Sequence, residues 1–320
     1  MLGLVIRNTG YSYTVKPLDS VTTEGSGVFS LYECKVKGNF RIKGIRTTNP
    51  IAIGDRVHFT PQKEENAGLI TDLEERKNYI IRKSINLSKQ SHIIAANVDQ
   101  CFLIVTIQQP ETSLTFIDRF LASAEAYRIP VTLVINKIDL ITPEWQEYLD
   151  GIVNLYETIG YPCRKISSVT GEGINTLRSE LNGKITLLSG NSGVGKSTLI
   201  NTLFPHLNLK VSEISDAYGT GKHTTTFSEM YPISDDAYII DTPGIKGFGT
   251  FDMNRNEIGH YFKEIFRYSA DCRFNNCTHT HEPHCAVLKA VEEHNISQSR
   301  YNSYLSMLED EKEDRYRAPF

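Results

Sequence analysis

Residues 185–189, Ile-Thr-Leu-Leu-Ser, run straight into residues 190–197, Gly-Asn-Ser-Gly-Val-Gly-Lys-Ser, and Thr198-Leu199-Ile200 follow. The first segment reads as a buried strand and the last as the opening of a helix. The eight residues between them fit G-x-x-x-x-G-K-[ST], and the strand–loop–helix context makes this a phosphate-binding loop rather than a glycine turn. Gly190, Gly193 and Gly195 let the backbone wrap an anion without Cβ clashes. Successive N–H groups and the helix N-terminus then face the phosphates. Candidate contacts are therefore Gly190, Asn191, Ser192, Gly193, Val194, Gly195, Lys196, Ser197 and Thr198. Lys196 supplies a point charge for the β and γ oxygens, and Ser197 a hydroxyl for Mg²⁺.

Working outward, Asn136-Lys137-Ile138-Asp139 follows the apolar run Val131–Ile135. A carboxylate at Asp139 can accept both the ring N–H and the exocyclic amine of guanine. Adenine offers no such donor pair, so it would leave the charge unsatisfied. Together with the phosphate loop, this N-K-x-D element resembles that of the P-loop GTPases, in which the Asn adds a polar contact and the Lys packs along the base. The same resemblance extends to Asp241-Thr242-Pro243-Gly244, which matches D-x-x-G. There Asp241 would hold Mg²⁺ and the Gly244 N–H would meet the γ-phosphate. Thr225, with Thr226 as its rival, would be the first-switch threonine completing the Mg²⁺ shell. Ser167 and Ser168 sit where a loop covers the base.

The order of these elements is rotated relative to ordinary GTPases: the base-reading segments precede the phosphate segments. This predicts a circular permutation, which preserves the site because a parallel sheet needs strand neighbours rather than a particular chain start. Where small GTPases place a water-orienting Gln after the D-x-x-G glycine, this chain has Ile245. An apolar side chain cannot align water, so slow intrinsic hydrolysis accelerated by a partner is expected. His223 is the candidate catalytic substitute, the alternative being a plain surface histidine.

The flanking regions differ in texture. Short apolar runs (Gly3–Ile6, Gly27–Lys35, Arg56–Phe59 and Gly68–Ile70) alternate with turn residues and suggest a small β-barrel or sandwich. Its tally of nine cationic against six anionic residues makes it mildly basic, and Tyr11, Tyr13, Phe29, Tyr32 and Phe40 could either stack bases or be buried aromatics of the module. Residues 76–89 add a basic run, readable as a linker or a solvated surface. From about residue 95, strand runs (Gln100–Ile107, Val131–Ile135, Lys184–Leu188, Tyr238–Ile240) alternate with helices at Phe116–Arg128 and after Thr142-Pro143-Glu144. This pattern predicts a mainly parallel sheet between helices. After residue 250 only helical spacing remains, at Ile258–Phe266, Ala286–Glu293 and Ser297–Asp310.

Within that last region, Cys272-x4-Cys277-x-His279-x5-Cys285 has the composition of a closed tetrahedral Cys₃His zinc shell, with His281 and His284 as rivals to His279. Four protein ligands leave no open position, so one structural zinc is expected. The formal net charge of −4 excludes a uniformly basic nucleic-acid coat. No 18-residue apolar run exists, so no membrane span is expected. The cysteine usage fits a cytoplasmic protein. Self-assembly is not required, so a monomer is expected.

A β module, a permuted N-K-x-D/phosphate-loop/D-T-P-G domain and a C-x4-C-x-H-x5-C terminus together resemble the bacterial ribosome small-subunit-dependent GTPase A family. Residues 219–226, Gly-Thr-Gly-Lys-His-Thr-Thr-Thr, resemble that family's first switch. The resemblance implies an OB-like barrel over 1–72, a circularly permuted α/β P-loop GTPase domain over 73–248, and an α-helical zinc-binding domain over 249–320. It further implies GTP hydrolysis to GDP, Mg²⁺ with the nucleotide, stimulation by the 30S subunit, contact with 16S rRNA, and a role in late small-subunit maturation.

Overall fold

In a computed structural model of the chain, the residues described are 1–19, 31–36, 51–62, 66–83, 91–207, 229–241 and 253–316. The chain packs as two compact units. One comprises Met1–Phe102, Asn175–Ser189 and Ser197–Ile245; the other comprises Leu103–Ile174, Gly190–Lys196 and Lys246–Phe320.

In the first unit, β1 (Leu2–Asn8), β2 (Tyr13–Pro17), β3 (Tyr32–Val36), β4 (Arg56–Pro61) and β5 (Ala67–Leu73) form a barrel. β1 pairs with β2 on one side and β4 on the other, β2 pairs with β3, and β5 joins β3 to β4, which closes the ring and removes free edges. Along β4 the pattern alternates, with Val57 and Phe59 inward and Arg56 and His58 outward. The core is Val5, Tyr13, Val15, Cys34, Ile51, Val57, Phe59 and Ile70. This placement decides one alternative: Tyr13 is a core residue and offers no stacking face. Tyr11 is fully exposed, and Tyr32 packs on Phe59 with ring centroids 5.1 Å apart. Phe29, Phe40 and residues 27–30 of the second apolar run lie outside the described residues.

Part of the basic run after the barrel, Tyr79–Lys83, is a strand. β6 (Tyr79–Lys83) and β7 (Ser91–Ala96) form an antiparallel pair. Arg76 is buried against Asp55, with Nε and Nη2 at 2.7 and 2.6 Å from its two oxygens, and Lys77 pairs with Asp99. These two cations therefore bind carboxylates of the chain itself. Lys89 and the side chains of Arg82 and Lys83 lie outside the described residues.

The α/β portion begins with β8 (Gln100–Thr106), every residue of which is buried. Such a continuous run is what a strand of a parallel sheet requires. It is followed by α1 (Leu114–Ala126), β9 (Val131–Asn136), α2 (Pro143–Ile159), β10 (Cys163–Lys165), α3 (Ile174–Glu180), β11 (Ile185–Ser189), α4 (Lys196–Leu203), β12 (Glu229–Pro232) and β13 (Tyr238–Asp241). Ser113 caps α1 by accepting from the Phe116 N–H at 3.3 Å. At α2, Pro143 occupies the first turn, where its fixed φ suits the helix and its missing N–H costs nothing, and the Thr142 hydroxyl makes no capping bond. Within the second unit the strand order is β10-β9-β8, with β9 and β10 parallel. Within the first, β11 and β13 run parallel and β12 is antiparallel to β13. β12 also pairs with β1 at Arg7↔Glu229. The barrel is thus hydrogen-bonded, through one intervening strand, to the strand that ends at Asp241.

In the second unit the C-terminal region forms a helical module of α5 (Lys263–Ser269), α6 (Ala286–Glu292) and α7 (Gln298–Tyr316). The single helix expected over Ile258–Phe266 is split. Ile258–Tyr261 is one 3₁₀ turn, and Phe262 is extended before α5 begins. Phe262 is buried with its ring 4.6 Å beneath the Arg300 guanidinium. Arg300, itself fully buried, makes a bidentate pair with Glu264 at 2.6 and 3.1 Å and donates to Asp118 of α1 at 2.9 Å. Tyr156 of α2 donates to the same Asp118 oxygen at 2.8 Å. Burial and the Asp118 carboxylate both push the Tyr156 phenol upward, so it stays a donor. Removing the guanidinium would strand two buried carboxylates, which typically costs about 3–5 kcal/mol. This network fastens the module to α1 and α2.

Candidate nucleotide site and metal centre

β9 is apolar until its last residue and delivers Asn136 almost fully buried. The side chain then joins three segments. Its Nδ2 donates to the Val194 carbonyl at 2.9 Å, and its Oδ1 accepts from the Ser168 N–H and hydroxyl at 3.1 and 3.0 Å. Lys137 adopts a left-handed backbone (φ 65°), turning the chain into the 3₁₀ turn Ile138–Leu140. Its ammonium donates to the Gly193 carbonyl at 2.8 Å and the Gln109 carbonyl at 2.5 Å. Asp139 is exposed, and its Oδ1 accepts from the Ser167 hydroxyl at 2.5 Å. Ser167 is in turn fixed by accepting from the Thr170 N–H at 3.0 Å. The carboxylate is therefore oriented at one oxygen while facing outward, which suits an acceptor for two N–H donors of a planar base.

The phosphate loop packs directly against this corner. Gly190 has φ 148°, and a Cβ there would meet the Ile104 carbonyl at 2.2 Å. Gly195 has φ 93°, and a Cβ there would come within 2.6 Å of Asn136 Nδ2. Any side chain at 195 would break the Asn136–Val194 contact as well as strain the backbone. The Lys196 ammonium donates to the Gly190 and Asn191 carbonyls at 2.5 and 2.8 Å, which holds its charge at the loop. Within the first unit, Ser197 is largely buried in the first turn of α4. There, Asp241 ends β13 in register with Leu188, two residues before the phosphate loop begins. A hydroxyl and a carboxylate are hard oxygen donors of the kind Mg²⁺ takes. Ser192 and Thr198 are exposed and Val194 is buried. His223, Thr225, Thr226, Gly244, Ile245 and the side chain of Asp241 lie outside the described residues.

Two partners in this corner carry no motif. The Gln109 and Val194 carbonyls hold Lys137 and Asn136, and backbone carbonyls leave no trace in residue identity. The only sequence signal was the Gln109-Pro110 turn following an apolar strand.

In the C-terminal module, Cys272, Cys277, His279 and Cys285 bring their ligand atoms within 4.8 Å of one another. A tetrahedral zinc ion with Zn–S about 2.3 Å and Zn–N about 2.0 Å requires ligand separations of roughly 3.5–3.8 Å. Cys272 Sγ lies 3.6 Å from His279 Nδ1 and 3.9 Å from Cys285 Sγ, and His279 Nδ1 lies 3.4 Å from Cys285 Sγ. The donor set and spacing therefore fit one zinc. It is His279, rather than His281 or His284, that the fold turns inward. The ligand loop is held from α7, where Tyr301 and Tyr304 donate to the His279 and Thr278 carbonyls, each at 2.7 Å. Burial opposes ionisation of Glu282, but hydrogen bonds from Thr278 and Thr280 outweigh it and hold the carboxyl well below its usual range. Burial pushes the Cys277 thiol up to about 12 and lowers His279. Zinc needs thiolate and neutral imidazole, so binding must release protons and weaken on acidification. Stripping the metal with a strong chelator is expected to abolish much of the helical signal of residues 253–316. Circular dichroism before and after zinc readdition checks this, and unchanged helicity in metal-free protein would remove the ion's structural role.

Comparison with known proteins agrees with this geometry. The RsgA GTPase family profile matches residues 73–251, and the RsgA N-terminal domain profile matches residues 2–70. A Bacteroides fragilis protein named small ribosomal subunit biogenesis GTPase RsgA is 62% identical over 320 residues, covering 100% of both chains. The Porphyromonas gingivalis protein of the same name is 53% identical over 324 residues, again covering 100% of both. Among solved structures, YjeQ from Thermotoga maritima superposes with a TM-score of 0.77 at 34% identity, covering 97% of each chain. YloQ, described as a circularly permuted GTPase, gives 0.74 at 28% identity, covering 100% of this chain and 96% of its own. With its barrel, its permuted GTPase domain and its Cys₃His module, the chain belongs to the RsgA GTPase family.

Proposed function

We propose that this GTPase binds GTP between its N-K-x-D corner and its phosphate loop, hydrolyses it to GDP and phosphate, and does so in response to the small ribosomal subunit in the cytoplasm. The observation that carries the reading is the Asn136 amide. It joins the base-reading loop to the phosphate-loop carbonyl of Val194 even though the two segments follow the permuted order. Asp139 accepts from guanine, Ser167 and Ser168 close over the base, and the N–H groups of 190–198 with Lys196 neutralise the phosphates. Ser197, Thr225 and Asp241 would hold Mg²⁺, which when bound neutralises charge on the β and γ oxygens. Gly244 meets the γ-phosphate, and His223 orients water in place of the absent Gln. Cys272, Cys277, His279 and Cys285 hold one structural zinc.

The partner assignment draws on the names of the relatives and on the chain's own layout. Charge is patchy rather than uniform, so contact with 16S rRNA would involve few phosphates and be salt-sensitive. The hydrogen-bonded path from barrel β1 through β12 to β13 offers a route by which docking biases Asp241. A single copy contains every residue invoked. No helix among the described residues is long and apolar enough to cross a membrane.

The test is GTP turnover with and without purified 30S subunits. A rise of at least about tenfold is expected, because Ile245 cannot align water and its substitute, His223, acts once the subunit docks. Equal rates would overturn the proposal. In the same assay His223→Ala is expected to lower stimulated turnover; unchanged basal and stimulated rates would end its catalytic assignment.

A further inference from the structure

The loop between β8 and α1 is not part of any nucleotide motif, yet it reaches the centre of the site. Its ends are clasped together: the Thr106 N–H donates to the Thr112 hydroxyl oxygen at 3.1 Å, and the Thr112 N–H donates to the Thr106 carbonyl at 3.0 Å. The Thr106 hydroxyl donates across the loop to the Pro110 carbonyl at 2.5 Å. Both threonines are nearly inaccessible to solvent, at 2% and 5% exposure, so these are bonds that water cannot replace. At the tip, the Gln109 carbonyl receives the Lys137 ammonium. The neighbouring Pro110 ring lies close enough to Gly193 that a Cβ there would sit 3.2 Å from Pro110 Cδ. One buried clasp thus fixes a turn that touches both the base-reading lysine and the phosphate loop.

We infer that Thr112, with Thr106, is a positioning residue for guanine-nucleotide binding, acting through the Gln109 carbonyl on Lys137. The lysine is pinned at three points: its backbone in the turn before Asp139, and its ammonium between the Gly193 and Gln109 carbonyls. A tetramethylene stem held at both ends is a fixed apolar ledge on which a planar base can lie. With one carbonyl displaced, the stem regains rotamer freedom, and binding must order it again. The loss concerns the base, which GTP and GDP share, so both should weaken alike. The phosphate contacts that differ between bound substrate and transition state are not involved. The signature is therefore in KM and Kd rather than in kcat.

This inference rests on the guanine-nucleotide reading, and the experiment separates the two. Binding of a fluorescent GDP analogue is measured for the wild-type chain, Thr112→Val, Thr112→Ser, Lys137→Ala and the Thr112→Val/Lys137→Ala double variant, with thermal melts alongside. Thr112→Val is expected to weaken GDP and GTP about five- to tenfold, and Thr112→Ser, which keeps the acceptor, to restore binding. In the Lys137→Ala background, Thr112→Val should add nothing further, because the group it positions is gone. Wild-type affinity in Thr112→Val, failure of serine to rescue, or additive losses in the double variant would each overturn the inference. If Thr112→Val does not fold, Thr106→Val, which removes the donor to Pro110, takes its place in the same cycle. Failure of the wild-type chain to bind GDP would instead overturn the guanine-nucleotide reading.

Discussion

Lys196→Ala is expected to cut 30S-stimulated GTP turnover by at least about a hundredfold while leaving the fold intact. The side chain is long, partly exposed, and bonded to carbonyls of its own loop at 2.5 and 2.8 Å. Its removal therefore empties no core cavity. On the proposed reading, what would be lost is a preorganised positive charge where negative charge accumulates in phosphoryl transfer, and single donors of that kind are worth about 10²–10³ in rate. Lys196→Arg should not rescue, because a planar guanidinium cannot replace a compact ammonium between two carbonyls of a glycine loop. Single-turnover phosphate release, with a melt to confirm folding, is the measurement. Turnover within about threefold of wild type would show that hydrolysis occurs elsewhere.

The second large effect concerns which base is bound. Asp139→Asn is expected to weaken guanine nucleotides about a thousandfold, equivalent to about 4 kcal/mol, and to raise affinity for xanthine nucleotides. In the proposed site the carboxylate would accept from both guanine N–H groups, whereas an amide would present a donor at one of the two positions and meet the exocyclic amine donor to donor. Xanthine carries a carbonyl at that position and restores the match. Sites built on such complementary hydrogen bonds discriminate by several orders of magnitude. The Ser167 hydroxyl, which donates to Asp139 Oδ1 at 2.5 Å, can orient an amide oxygen as it does the carboxylate. The variant should therefore remain folded. Competition between guanosine and xanthosine diphosphates for the purified variant decides it, and retention of guanine preference would show that Asp139 does not read the base.

The corner where Asn136 meets the phosphate loop was legible because its residues are side chains at fixed spacing. Strand, glycine loop, lysine and helix occur together at 185–200, and Asn136–Asp139 end an apolar strand. The clustering of Cys272, Cys277, His279 and Cys285 was legible for the same reason. What stayed hidden was structure written in backbone or in charge. The pair β6–β7 was masked by its basic residues, and Arg76 and Lys77 gave no sign that Asp55 and Asp99 would take them up. β12 is a four-residue strand ending in proline, too short for periodicity to register. Tyr13 could be read as a stacking or a buried aromatic, and only closure of the barrel decides between them. The break at Phe262 follows tertiary demands, since its ring lies under a guanidinium contributed 38 positions later. The Gln109 turn contributes a carbonyl, which every residue owns, so no pattern of residue types could have announced it.

The most direct measurement is equilibrium binding of GDP, GTP and their adenine counterparts to the wild-type chain, repeated for Asn136→Ala. Guanine nucleotides should bind and adenine nucleotides should not, and Asn136→Ala should lose guanine binding, because its amide ties the base corner to the Val194 carbonyl of the phosphate loop. Equal affinity for the two purines, or guanine binding indifferent to Asn136, would contradict a pocket assembled from these permuted segments.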